Sequence, residues 1–158
     1  MTITRQPITV HIRWMIQRDM PEVLAIEDLC FEHAWSEETF VNYLRQRNTI
    51  GMVAEYKEKT VGFMVYELYK TRLHLANLAV LPGRWMEGIG RQMVNRLIDK
   101  LSPHRRARIT TLIRETNLPA QLFFKRCGFE ATDVLKNYYA ETDEDAYVME
   151  CRKYQEPN

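Results

Sequence analysis

The chain has 158 residues, 46% of them hydrophobic and 27% charged, which is enough to bury one core and points to a single domain over residues 1–158 with its core at about 8–153. A net charge of +1 excludes recognition of nucleic acid by overall charge, so any anion must be held locally. No apolar run approaches the roughly 18 residues of a membrane span, and "MTITRQPITVHIRW" has no continuous apolar signal-peptide core, so a cytoplasmic protein without membrane contact is expected. The three cysteines, Cys30, Cys127 and Cys151, are far apart, and the histidines at 11, 33, 74 and 104 do not cluster. Reduced structural thiols and no metal site are therefore expected.

"ITVHIRWMI" (8–16) alternates and is rich in β-branched residues, which predicts a strand. Asp19 is placed to cap a helix through "MPEVLAIEDLCF", with Pro21 in its first turn. Ser36 caps a second helix, "EETFVNYLRQR". Strands at about 50–57 and 60–69 follow, joined at "KEKT" as an antiparallel hairpin with a weak turn signal. "RLHLANLAVL" (72–81) reads as a more buried strand. Ile89, Met93, Leu97, Ile98 and Leu101 then recur at helical spacing up to Pro103. "HRRAR" (104–108) reads as a solvated loop and "RITTLIR" (108–114) as a strand. Asn117 caps "LPAQLFFKRC", and Gly128 is a typical residue just past a helix end. "FEATDVLKNYY" and "DAYVMECRKY" close the chain as strands, with "QEPN" frayed. The predicted order is β-α-α-β-β-β-α-β-α-β-β.

"PGRWMEGIGRQMVNRL" (82–97) places Gly88 and Gly90 at the mouth of an amphipathic helix. Glycine weakens a helix interior by roughly 1 kcal/mol relative to alanine, so two together need a reason. Helix N-termini carry unsatisfied N–H groups and partial positive charge, and glycine lets an anion approach the backbone closely. Arg84 and Arg91 add charge. A capped helix that binds nothing is the plainer alternative, and this motif alone leaves both open. Neither a nucleotide P-loop nor a Rossmann fingerprint is present.

"LANLAVLPGRWMEGIGRQMVNRLIDKL" followed by "TNLPAQLFFKRCGFE" resembles the GNAT acyltransferase superfamily. "HAWSEETF" (33–40) and "NYYAETDEDAYVM" (137–149) resemble its RimI-type N-terminal acetyltransferases. The resemblance implies an α/β (α+β) GNAT fold with a mixed, mostly antiparallel sheet, splayed between the strands at 72–81 and 108–114 and flanked by about four helices. It implies acetyl-CoA as cofactor and no metal. The pantetheine arm would pair with backbone groups of Leu78, Ala79 and Val80. The pyrophosphate would lie on the N–H groups of Met86, Glu87, Gly88, Ile89, Gly90 and Arg91, with Asn117 reaching the arm and Phe124 at the thioester end.

Three positions depart from the family pattern. The usual Arg or Gln three residues before Gly88 is Trp85. The general-base glutamate is Leu112, and the tyrosine that protonates the leaving thiolate is Phe124, so catalytic residues other than Tyr138 are unassigned. Glu32, Trp35, Tyr138 and Tyr139 are the implied acceptor-binding residues. Trp35 also reads as a packing lid, and Glu115 and His74 read as structural rather than catalytic. The expected activity is acetyl transfer to a protein N-terminal α-amine, with a ribosomal protein among the candidate acceptors. Transfer to a small-molecule amine or a lysine, and a weakly catalytic acetyl-CoA-binding module, are the alternatives.

Overall fold

A computed structural model describes residues 5–154; the "QEPN" end and residues 1–4 of the opening stretch lie outside the described residues. The element order is the one the sequence predicts, with 3-10 turns at Gln17–Asp19 and Pro82–Arg84 added. The strands are β1 (His11–Trp14), β2 (Thr49–Tyr56), β3 (Lys59–Leu68), β4 (Arg72–Val80), β5 (Arg108–Arg114), β6 (Glu130–Tyr139) and β7 (Glu144–Arg152). The helices are α1 (Met20–Cys30), α2 (Glu37–Leu44), α3 (Ile89–Ile98) and α4 (Leu118–Arg126). One seven-stranded sheet has the order β1-β2-β3-β4-β5-β7-β6. It is mixed: β4 and β5 are parallel, with Arg72–Leu75 against Arg108–Thr111, while β1–β2, β2–β3, β5–β7 and β6–β7 are antiparallel.

The chain divides into two compact units. One runs to Glu67 and adds Asn77–Arg96; the other holds Leu68–Ala76 and the chain from Leu97 onward. The first unit packs α1 and α2 on the sheet through Val23, Ile26, Phe40, Val53, Phe63 and Val65. The Phe40 ring meets Trp35 and Phe63 edge-on at 5.1 and 5.5 Å, geometries that suit the aromatic quadrupole. In the second unit Ile109, Ile113, Phe124, Phe129, Ala146 and Met149 are buried.

Local signals set most boundaries. Ser36 accepts from the Thr39 N–H at 3.2 Å and Asn117 from that of Ala120 at 3.2 Å, each quenching an orphan donor. Gly128 has φ +96°, and the helix end closes as a Schellman motif: Phe129 N–H to Phe124 O at 2.9 Å, and Gly128 N–H to Lys125 O at 3.0 Å. The Phe124 and Phe129 rings, 5.1 Å apart, are its apolar contact. The hairpin predicted at "KEKT" forms with Lys57 and Glu58 both at positive φ, 51° and 67°. Its signal is weak because that turn favours Asn or Gly at both places.

Several boundaries differ. β1 covers only His11–Trp14 of the predicted 8–16. The second helix stops at Leu44 rather than Arg47. α3 ends at Ile98, five residues before Pro103, because the backbone tightens into i→i+3 bonds from Lys100 and Leu101 to Leu97 and Ile98. Asp19 precedes α1, but its side chain makes no capping bond. It accepts instead from the Ile16 N–H at 2.8 Å and from both terminal nitrogens of Arg13 at 2.7 Å. The Arg13 guanidinium also bonds Glu55, which ties β1 to β2 and the start of α1.

That pairing holds the buried Asp19 carboxyl below its usual range. A depressed carboxyl contributes stability above the ordinary carboxylate pKa, and the contribution is lost as pH falls through and below that range. Asp19→Asn is expected to lower stability by about 2–3 kcal/mol at neutral pH and to flatten the loss of stability below about pH 4. Urea unfolding at pH 7 and pH 3 measures both; equal destabilisation at the two pH values would contradict it.

Candidate functional site

The first unit carries the glycine turn. Leu81 donates its N–H to Val61 O in β3 at 2.8 Å. Neighbouring strand residues alternate, so the N–H and C=O of Val80 point to the opposite edge of β4. There the Val80 carbonyl accepts from the Trp85 indole at 2.7 Å and from the Cys30 thiol at 3.2 Å. A carbonyl oxygen has two lone pairs, so both are in use. This explains Trp85: it gives up the family's usual polar side chain and closes the turn back onto β4. It also corrects the backbone pairing implied for Leu78, Ala79 and Val80. Ala79, two residues from Leu81, turns its backbone groups toward β3, where its carbonyl lies against Gly62. At Val80 only the N–H remains, so Leu78 and the Val80 N–H are the groups on the other edge. Cys30 is a structural donor, and burial pushes its thiol up to about 11, far from a reactive thiolate.

Beyond the 3-10 turn, Met86 and Gly88 take positive φ, 71° and 82°, and the Gly88 carbonyl accepts the first α3 bond, from Gln92 N–H at 3.2 Å. A Cβ built on Gly88 would meet nothing within 4 Å. The turn therefore faces open space at the residue where the N–H groups of Ile89, Gly90 and Arg91 begin the helix, the groups an α-helix leaves without internal acceptors. A pyrophosphate fits that cradle. Glu87 puts a carboxylate into the turn, but it is buried and paired with Arg84 at 3.3 Å and Arg5 at 3.7 Å, so its charge is met within the protein. Gln92 braces the turn, donating to Ile8 O at 2.7 Å and Gly88 O at 3.1 Å while accepting from Val10 N–H at 3.1 Å.

The turn between α1 and α2 belongs to the same unit. Glu32 and His33 are exposed on it. The Trp35 ring stacks on Tyr43, 4.4 Å apart and 7° from parallel, and its far edge meets Phe40. Trp35 is thus chiefly a packing residue that shapes the turn bearing Glu32.

The second unit carries the β5 positions. Leu112 sits opposite Val148 of β7, half-buried, and shares its strand face with Thr110 and Arg114. The Thr110 hydroxyl accepts from Arg72 at 2.8 Å and lies 2.9 Å from His74 Nδ1. The Thr110 hydroxyl thus lies between the Arg72 guanidinium and the His74 ring, and its hydrogen bond with Nδ1 orients that ring. Phe124 is 5% exposed and packed between Phe123 and Phe129, so it contributes to the core of α4 rather than an open wall. Glu115 accepts from the Asp145 N–H at 3.0 Å and joins the ends of β5 and β7. Asn117 caps α4 as described above.

Tyr138 and Tyr139 take different parts. Tyr139 lies under the Arg114 guanidinium at 3.8 Å; burial raises its phenol pKa and the Arg114 charge opposes that rise. Arg114 also holds Glu144 at 3.1 Å and Glu141 at 3.6 Å, clamping the β6–β7 turn. Tyr138 is 53% exposed and meets Tyr139 edge-on at 5.0 Å. A register shift in the β6–β7 pairing between Leu135 and Tyr139, with Asn137 at φ 52°, aims Tyr138 outward. Glu27, Asn77, Arg114 and Gln92 join the site only in the structure; of these, Glu27, an acid on the apolar stripe of α1, carries a signal readable in the sequence. Among the described residues no three His, Cys, Asp or Glu side chains gather to hold a metal, and no helix is long and apolar enough to cross a membrane.

Comparison with known proteins fits this geometry. A ribosomal protein bS18-alanine N-acetyltransferase of Escherichia coli K12 is 29% identical over 133 residues, 83% of this chain and 89% of that one. The crystal structure of the ribosomal-protein-S18-alanine N-acetyltransferase from Escherichia coli superposes with a TM-score of 0.81 at 24% identity, over 95% of this chain and 97% of that one. Arabidopsis thaliana Naa50, in complex with the bisubstrate analogue CoA-Ac-MVNAL, does so with a TM-score of 0.74 at 24% identity, over 90% and 98%. The family model described as Acetyltransferase (GNAT) family matches residues 20–129, which takes in α1, the glycine turn and the end of α4. The chain belongs to the acetyltransferase (GNAT) family.

Proposed function

We propose that this acetyltransferase uses acetyl-CoA to acetylate a protein N-terminal α-amine by direct transfer, with a ribosomal protein as the first acceptor class to test and the cytoplasm as its place of action. The observation that carries the reading is the glycine turn: positive φ at Gly88, open space at its missing Cβ, and the N-terminus of α3 behind it. Relatives named for acetylating the alanine of ribosomal protein bS18 support the acceptor.

Acetyl-CoA supplies the activated acetyl group as a thioester. The N–H groups of Met86 to Arg91 hold the pyrophosphate, and the backbone of Leu78 and the Val80 N–H align the arm. The Val80 N–H would polarise the thioester carbonyl. In the first unit Glu32, on the turn that Trp35 shapes, offers a contact for the acceptor; in the second, the exposed Tyr138, braced by Tyr139, offers another. The amine nitrogen forms the new N–C bond as the C–S bond breaks, the sulfur leaves as thiolate, and the amine's proton passes to solvent. Leu112 and Phe124 offer no group for that proton. The demand is small, because an α-amine with pKa of about 7.7–8.0 is substantially neutral near pH 7.5, and orientation supplies much of the rate.

The test is CoA-thiol release from acetyl-CoA with a library of N-terminal peptides, alanine-initiated ones included, from pH 6 to 9 against a no-acceptor control. Peptide-dependent release that rises with pH and levels near about pH 8 is expected, the amine's own titration setting the profile. Bound acetyl-CoA without release for any peptide would overturn the acceptor assignment.

A further inference from the structure

We propose that Glu27 is a positioning residue, holding the turn at residues 31–35 to the segment of β4 that aligns the acetyl donor; the inference rests on the reading of that turn as the acceptor flank. Glu27 is 1% exposed, on the face of α1 that packs on the sheet. Its two carboxylate oxygens meet two neutral donors: Oε2 accepts from the Trp35 N–H at 2.8 Å and Oε1 from the Asn77 side-chain amide at 2.8 Å. Its backbone carbonyl accepts from the Phe31 N–H at 3.1 Å. One residue therefore closes both ends of the 31–35 turn and ties the closed turn to Asn77, directly before Leu78, Ala79 and Val80. Cys30, one helical turn on, bonds the Val80 carbonyl, so α1 is fastened to β4 at both ends of the 77–80 segment.

An apolar residue would fill this place at less cost, since burying a carboxylate is unfavourable. Burial indeed raises the Glu27 pKa, against the pull of the Trp35 and Asn77 donors. What an apolar residue cannot do is accept two N–H groups from different parts of the chain, one on each carboxylate oxygen. The carboxylate holds the acceptor turn in place beside the donor strand, so that acceptor binding does not have to order the turn.

The test compares Glu27→Leu, Glu27→Gln and Asn77→Ala by acceptor KM and kcat, acetyl-CoA Kd from calorimetry, and amide hydrogen exchange over residues 31–36. Glu27→Leu is expected to raise acceptor KM about tenfold, the cost of ordering a few loop groups on binding, with acetyl-CoA Kd unchanged within about twofold. Amide exchange should quicken at 31–36. Glu27→Gln keeps an oxygen for Trp35, and its amide suits a turned Asn77 carbonyl, so it should recover acceptor KM to within about threefold. Unchanged acceptor KM in folded Glu27→Leu, a parallel rise in acetyl-CoA Kd, or Gln performing no better than Leu would overturn the assignment. If Glu27→Leu does not fold, Asn77→Ala must show the same selective rise. A wild-type chain that turns over no peptide refutes the acceptor reading before any variant is made. Exchange at 31–36 then still decides whether Glu27 holds the turn, and unaltered exchange refutes it.

Discussion

Gly90→Asp is expected to abolish acetyl-CoA binding, raising Kd by about 10³-fold or more, the order of magnitude of leaving an unpaired charge buried against an anion. Gly90 is buried in the first turn of α3, two residues after the positive-φ Gly88. The carboxylate already in this turn, on Glu87, is matched by Arg84 and Arg5. A second carboxylate would face the pyrophosphate with both of those cations engaged. Folding should survive better than binding, because Asp in a first helical turn is favoured by the helix dipole and Gly is the poorer helix former. Gly90→Ala separates bulk from charge: if it binds acetyl-CoA and Gly90→Asp does not, charge is the cause. Calorimetry on both variants, alongside their melting curves, measures this. Retained binding by a folded Gly90→Asp would remove the pyrophosphate assignment.

The glycine turn was legible because its signal is local. Two glycines after a strand and before an amphipathic run mark a turn into a helix, with a bound anion left open by the motif alone, and Ser36, Asn117 and Gly128 each mark a helix end with the side chain or conformation that end requires. Beyond the β2–β3 hairpin, and the neighbouring of β4 and β5 that the resemblance implies, the strand order is not legible in the residues, since alternation says where a strand is and not what it pairs with. Asp19 was misread because a cap is one of several uses for a carboxylate at that place, and Arg13 across the turn outbid the helix N–H groups. The outward aim of Tyr138 depends on a register shift, visible in sequence only as Asn137, a residue that tolerates positive φ. Glu27 follows Val23 by four residues and precedes Cys30 by three, which puts it on the apolar stripe. The stripe shows that Glu27 is buried, but its partners, Trp35 and Asn77, come from elements the sequence does not bring together.

Leu112→Glu should raise kcat on an N-terminal peptide by about 10–10²-fold, the lower part of what a positioned general base contributes, since the pocket has not been shaped for it. It should also extend activity to lower pH, because a carboxylate on the enzyme then takes the proton the amine otherwise loses to water. Partial exposure at 112 leaves a carboxylate there in contact with solvent. Leu112 is half-buried, and on its strand face the neighbours are Thr110 and Arg114, one a hydroxyl and the other a guanidinium already balanced by Glu144 and Glu141. Phe124→Tyr should add little, for its ring is enclosed by Phe123 and Phe129 and a hydroxyl there must be buried. The two substitutions therefore separate the missing base from the missing acid. CoA-thiol release between pH 6 and 9 reads the rate and the profile together. If folded, acetyl-CoA-binding Leu112→Glu is no faster than the parent, proton removal does not limit this enzyme, and the apolar residue at 112 costs it nothing.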